Sequence, residues 1–193
     1  MRIGIMGGSF DPIHLGHLRA AETAREELRL ELLAFVPARM PPHRAACLAP
    51  AIDRFAMSCL AMAGHPHFVT WDIELRRAGP SYTVDTLATL RAELPKDDLV
   101  LVVGSDTWPE MTAWREPERL FSLVAVAVVG RPGQPVRDPK PPFPGGRGVV
   151  CIEGPTLAIS ATSVRERVRR GASVRYLVPD PVADYVAKRR LYT

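Results

Sequence analysis

A chain of 193 residues with 47% apolar and 24% charged side chains has the make-up of a folded globular protein, long enough to bury a real core. Its formal charge of +4 rests mostly on arginines, densest from Arg165 to Arg190, and no aromatics interleave with them, so they read as a solvated helix face with one or two phosphate contacts and not as a nucleic-acid platform. No apolar run reaches membrane-spanning length, the first residues lack a secretory layout, and Cys47, Cys59 and Cys151 form no C-x-x-C pair, which argues against a membrane span, a disulfide scaffold and a thiolate metal site and favours a reducing cytoplasm.

Arg2-Ile3-Gly4-Ile5-Met6 has the length and bulk of a buried strand, and residues 18–30 read as a helix. Between them lies Gly7-Gly8-Ser9-Phe10-Asp11-Pro12-Ile13-His14-Leu15-Gly16-His17. The glycines and both histidines therefore sit where a first strand turns into a first helix, the place where open α/β sheets bind ligands. A helix amino end there offers backbone N–H groups and partial positive charge to a phosphate. Gly7 and Gly8 let the backbone approach closely. Gly16 thins the wall between the histidines. A helix starting at or before His14 would put His14 and His17 on one face, where two imidazoles can donate to charge growing on a phosphoryl group. A lone histidine would more simply cap a turn; the whole string points to phosphate chemistry.

Residues 32–36 form a second apolar strand, closed by Pro37, and Ala38-Arg39-Met40-Pro41-Pro42-His43-Arg44 follows as a proline-stiffened loop. Residues 51–63 read as a helix with its methionines in the core; Arg54 near its start is a surface charge or a phosphate ligand. Residues 68–75 alternate like a strand. After Gly79-Pro80, Ser81 or Thr83 caps a helix running to about residue 94, with Asp85 in its first turn. Residues 99–103 are unbroken apolar, as in a central parallel strand, and end in Gly104-Ser105-Asp106. Trp108 and Trp114 are each core or ring-stacking residues. Residues 123–129 and 149–152 are further strands, with a Pro- and Gly-rich surface loop over 130–148. In Ile159-Ser160-Ala161-Thr162-Ser163-Val164-Arg165, hydroxyls cluster at a helix start, and Ser163 with Glu166 fits a capping box. A last helix of mixed face follows Pro179. No three-residue metal cage is evident.

The first string resembles the G-G-x-F-D-P-x-H-x-G-H signature of the H-x-G-H nucleotidyltransferase superfamily. Gly79-Pro80-Ser81-Tyr82-Thr83-Val84-Asp85-Thr86-Leu87 closely resembles the S-Y-T-x-D-T-L segment of the bacterial nicotinate mononucleotide adenylyltransferases, and 159–165 resembles their I-S-S-T-x-[IV]-R motif, with Ala161 in place of a serine. Arg44 stands where lysine is usual in the proline loop.

The resemblance implies an α/β, doubly wound, Rossmann-like and mostly parallel sheet of five to six strands with helices on both faces, in agreement with the strand–helix alternation. It implies a single nucleotidyltransferase domain over 1–193, with a small helical segment from about 160. It implies adenylyl transfer from ATP to nicotinate mononucleotide, with Mg²⁺ carried on the ATP. His14 and His17 would be catalytic. Gly7, Gly8, Ser9, Phe10, Arg44, Gly104, Asp106, Ser160, Thr162 and Arg165 would bind ATP. Ser81, Tyr82, Thr83, Trp114 and Arg54 would bind the mononucleotide. No nucleic-acid or membrane partner is expected, and oligomeric state stays open, a homo-oligomer included. The rivals are phosphopantetheine adenylyltransferase, which shares the histidine motif, and a non-catalytic nucleotide- or RNA-binding protein.

Overall fold

A computed structural model describes residues 1–42, 47–130, 141–154 and 157–193. Among these, strands β1 (Arg2–Gly8), β2 (Leu32–Pro37), β3 (Phe68–Thr70), β4 (Asp98–Gly104), β5 (Ala125–Val129) and β6 (Val149–Ile152) form one parallel sheet in the order β3-β2-β1-β4-β5-β6. The helices are α1 (Leu15–Leu28), α2 (Ala51–Met62), α3 (Ile73–Arg76), α4 (Thr83–Glu93), α5 (Pro117–Leu123), α6 (Ala161–Arg169) and α7 (Asp180–Arg189), with a 3-10 helix over Trp108–Ala113.

Alternate side chains of each strand leave opposite faces of the sheet, and both faces are covered. On one face Val100, Val102, Leu33 and Phe35 pack with Ala21 and Ala24 of α1, Met57 of α2, Val164 of α6 and Val182 of α7. On the other, Leu99, Leu101, Ile3 and Ile5 pack with Val84 and Leu87 of α4 and Leu120 and Phe121 of α5. This two-sided burial is why the strands read as unbroken apolar runs. Each fully buried aliphatic side chain contributes about 1.5–3 kcal/mol.

The order of strands reverses between β1 and β4. Their pairing covers Arg2 to Ile5, with Ile5 opposite Leu101. Both strands run on past it, to Gly8 and Gly104. A crevice at the carboxyl ends of two such strands is where doubly wound sheets hold their ligands.

Several local expectations are corrected. The alternating run 68–75 is not one strand: β3 ends at Thr70 and α3 begins at Ile73. Arg76 turns back one helical turn to bond Asp72, and Glu74 is 6% exposed. Helix α1 starts at Leu15 and ends at Leu28, where Arg29 turns left-handed at φ 53°. The cap of α6 is Ser160 and not Ser163: the Ser160 hydroxyl accepts the Ser163 N–H at 3.1 Å. Neither Ser81 nor Thr83 caps α4; Tyr82 holds that position without a side-chain bond. Among the described residues, no helix is long and apolar enough to cross a membrane.

Candidate active site

A cavity of about 830 Å³ opens at the carboxyl ends of β1 and β4. Gly7, Gly8, Ser9, Phe10, His14, His17, Ser81, Tyr82, Thr83, Gly104, Asp106, Trp114, Ser160, Thr162 and Arg165 all line it. Sequence positions more than a hundred residues apart thus meet in one place. Two of the expected site residues stand apart from this set. Arg44 lies outside the described residues. Arg54 does not line the cavity.

Three helices begin at this cavity. His14 precedes α1, Tyr82 precedes α4 and Ser160 precedes α6. Neither α1 nor α6 has an acidic residue in its first turn. Their amino ends keep their partial positive charge for a ligand anion, and Arg165 adds a full charge beside them. The starts of α1 and α6 face each other closely: a Cβ on Gly16 would come within 3.5 Å of the Ile159 carbonyl.

His14 is 3% exposed. The rings of His14 and His17 stack with centroids 3.6 Å apart. The His14 backbone N–H donates to His17 Nδ1 at 3.2 Å, which leaves the proton of a neutral His17 ring on Nε2. Phe10 packs against the His17 member of this pair. It adopts φ 47°, is 2% exposed, and sets its ring edge-on to His17 at 5.2 Å. That placement explains Gly8, where a Cβ would meet the Phe10 ring at 3.0 Å. At Gly7, by contrast, a Cβ would meet nothing within 4 Å, so here the absent side chain keeps the cavity itself open.

Arg54 corrects the expectation of a phosphate ligand. It is 1% exposed, and its guanidinium donates to three carbonyls: Ala49 at 3.1 Å, Ser9 at 2.6 Å and Arg39 at 3.2 Å. A buried cation so engaged, with three of its five N–H groups on carbonyls and none of its surface in the cavity lining, clamps the motif loop from behind the cavity wall. Ser81 is also a fastener. It is 7% exposed, and its hydroxyl oxygen accepts the N–H groups of Arg39 and Met40 at 3.0 and 3.3 Å. Trp114 lines the cavity, whereas Trp108 packs edge-on against Phe121 at 5.9 Å.

Three further residues line this site with no local signal of that role, and a fourth, Tyr192, stands behind it on Asp11. Glu74 lines the cavity and accepts the Thr86 hydroxyl at 2.7 Å; burial pushes its carboxyl above the usual range, against the hydroxyls of Thr86 and Ser81 and the charges of Arg77 and Arg54. Arg115 lies 4.7 Å over the Tyr82 ring and 3.5 Å from Asp85. Asp11, 5% exposed, accepts the N–H groups of Leu48 and Ala49 at 2.8 and 3.1 Å. Tyr192 donates its hydroxyl to Asp11 at 2.7 Å. Asp11 stood in the motif, but its partners are distant in sequence, and nothing local marks Tyr192. Among the described residues no three His, Cys, Asp or Glu side chains gather as a metal site.

Residues 5–167 match the cytidylyltransferase-like family. The chain is 46% identical over 192 residues to a "Probable nicotinate-nucleotide adenylyltransferase" of Thermus thermophilus, covering 100% of both chains. It is 43% identical to a protein of the same description from Saccharopolyspora erythraea, covering 99% of this chain and 89% of that one. Among solved structures it resembles the Plasmodium falciparum nicotinic acid mononucleotide adenylyltransferase complexed with NaAD, with a TM-score of 0.83 at 20% identity, over 99% of this chain and 97% of that one. That likeness shows the doubly wound fold. Full-length identity and the family match together place this chain in the cytidylyltransferase-like family, among the relatives described as nicotinate-nucleotide adenylyltransferases.

Proposed function

We propose that this protein transfers the adenylyl group of ATP to nicotinate mononucleotide, giving deamido-NAD and pyrophosphate. The observation that carries the reading is the single cavity that joins the stacked His14–His17 pair and two acid-free helix starts to a third helix start beside Trp114. The first group suits a triphosphate and the second a carboxylated aromatic nucleotide.

A phosphate oxygen of the mononucleotide attacks the α-phosphorus of ATP in line. The new P–O bond forms as the bond from the α-phosphorus to the bridging oxygen of pyrophosphate breaks. No covalent enzyme intermediate is required. The chain's part is positioning and stabilisation of charge. His17 donates from Nε2, and His14 stacks against it. The backbone at Gly7, the hydroxyls of Ser160 and Thr162, and Arg165 complete the cradle. Asp106, at the end of β4, offers an acceptor for a sugar hydroxyl. Mg²⁺, carried on the ATP phosphates as part of that substrate, would supply charge neutralisation at the leaving pyrophosphate.

At the other end the first amides of α4, at Thr83 and Val84, face the cavity from a helix start and suit the nicotinate carboxylate. The Trp114 indole offers its face to the ring. Arg115 over Tyr82 adds positive charge on the same side. The test is pyrophosphate release from MgATP with nicotinate mononucleotide, nicotinamide mononucleotide or phosphopantetheine in turn. Release with the first, well above the other two, is expected. Release with phosphopantetheine alone, or none at all, would overturn the reading.

A further inference from the structure

We propose that Tyr192 is a positioning residue for this reaction: its hydroxyl fixes the Asp11 carboxylate, and Asp11 ties together the walls around the phosphate end of the cavity. The inference rests on the adenylyl transfer proposed above.

Asp11 is a junction of three segments. Its Oδ1 accepts the Tyr192 hydroxyl at 2.7 Å and the Ala49 N–H at 3.1 Å, and its Oδ2 accepts the Leu48 N–H at 2.8 Å. Its own carbonyl accepts Nη1 of Arg165 at 2.7 Å, while Nη2 of the same arginine donates to the Thr162 hydroxyl at 3.2 Å. Leu48, Thr162, Arg165, His14 and His17 all line the cavity. One carboxylated residue thus sets the loop that leads into the histidines, the end of the proline loop and the start of α6 relative to one another.

Tyr192 supplies the shortest of the bonds to that carboxylate. Both residues are buried, at 8% and 5% exposure. Burial and the bond to Asp11 push the phenol pKa up, so the hydroxyl stays a donor throughout the working pH range.

The segment that carries Tyr192 is fastened without this bond. Asp53 on α2 accepts the Tyr185 hydroxyl at 2.8 Å and Nε of Arg189 at 3.1 Å. The Leu15 N–H, at the start of α1, donates to the Leu177 carbonyl at 2.9 Å. Val182 and Val186 are buried in the core. Removing one oxygen atom at Tyr192 therefore leaves α7 docked, and its effect reaches the cavity through Asp11.

The test uses the full chain with MgATP and nicotinate mononucleotide. A wild type that releases no pyrophosphate defeats the proposed function and this inference with it, whereas a wild type that turns over no faster than Tyr192→Phe defeats this inference alone. Given turnover, Tyr192→Phe should lower kcat about tenfold while both KM values stay within about twofold, as loss of alignment predicts. The Leu48 and Ala49 amides should exchange faster with deuterium, with the unfolding midpoint near that of the wild type. Asp11→Asn should also lower kcat, and adding Tyr192→Phe to it should cost nothing more. The inference is overturned by a wild-type kcat in Tyr192→Phe, by independent costs in the double variant, or by a raised KM at unchanged kcat. Should Asp11→Asn fail to fold, unchanged exchange at Leu48 and Ala49 in Tyr192→Phe is itself decisive against it.

Discussion

His17 accepts the backbone N–H of His14 through Nδ1 at 3.2 Å while the two rings stack at 3.6 Å. One ring nitrogen thus serves the helix start, and in the proposed reaction the other donates to the phosphates. The two roles can be separated by substitution. In His17→Asn the side-chain oxygen stands near the place of Nδ1 and can keep the bond to His14, but nothing replaces Nε2–H. Turnover should fall roughly 10²–10³-fold, as for loss of one donor to a developing oxyanion, with the unfolding midpoint held. His17→Ala should show the same kinetic loss and, in addition, a drop of about 1 kcal/mol in stability from the lost cap. Steady-state pyrophosphate release and urea titrations of both variants check this; a His17→Asn turnover within about threefold of wild type would remove His17 from the chemistry.

Gly16 makes a cleaner kinetic probe. A Cβ there would lie 3.0 Å from His14 Nδ1 and 3.1 Å from its Cε1. The ring would have to yield by a few tenths of an ångström. Alanine is meanwhile the better helix former, by less at this second helical position than the about 1 kcal/mol of a helix interior. Gly16→Ala should therefore leave stability equal or slightly raised and lower kcat about tenfold through the displaced imidazole. Equal kcat alongside intact folding would show that the His14 ring has no fixed role.

Arg54 illustrates the limit of the motif-based reading. Three carbonyls on three separate segments depend on its guanidinium. Arg54→Met should cost about 3 kcal/mol or more, because buried acceptors are left without donors. Arg54→Lys should recover only part of this, since a point ammonium cannot match a planar fork. Were Arg54 instead a phosphate ligand, the urea midpoint would hold and the KM for nucleotide would rise.

What the sequence made legible was local and periodic. The unbroken runs of β1, β2, β4 and β5 announced strands buried on both faces, and Gly7 to His17 announced a phosphate corner. Hydroxyls and glycines mark helix starts by their chemistry, so the three walls of the cavity could be named before they were joined. What stayed hidden depends on contacts across the fold. Arg54 in a sequence is a charge; only the approach of Ser9 and Arg39 makes it a clamp. Glu74 was one member of an apparent strand alternation, and only the turn into α3 carries it inward. Tyr192 has no local signal, because its partner lies 181 positions away.

Glu74 supplies a prediction in pH. Burial is the chief cause of its raised pKa, and the Thr86 and Ser81 hydroxyls and the charges of Arg77 and Arg54 oppose it without cancelling it. The folded chain therefore binds this proton more tightly than the unfolded chain does. The stability so gained is fully present below the unfolded pKa, about 4.3, and is lost as pH rises through the higher folded value. Glu74→Gln keeps an oxygen for the two hydroxyls and cannot ionise, so it escapes that loss. The unfolding free energy of the variant minus that of wild type should climb with pH across this window and then level off. Glu22, Asp72 and Glu116, held low by Arg25, Arg76 and Arg119, respond in the opposite sense. They are present in both proteins and cancel in the difference. Urea titrations of the pair from about pH 4 to pH 8 measure it directly, over the range in which such a carboxyl titrates. A difference that stays flat, or that shrinks with rising pH, would mean that Glu74 is charged in the fold at no cost.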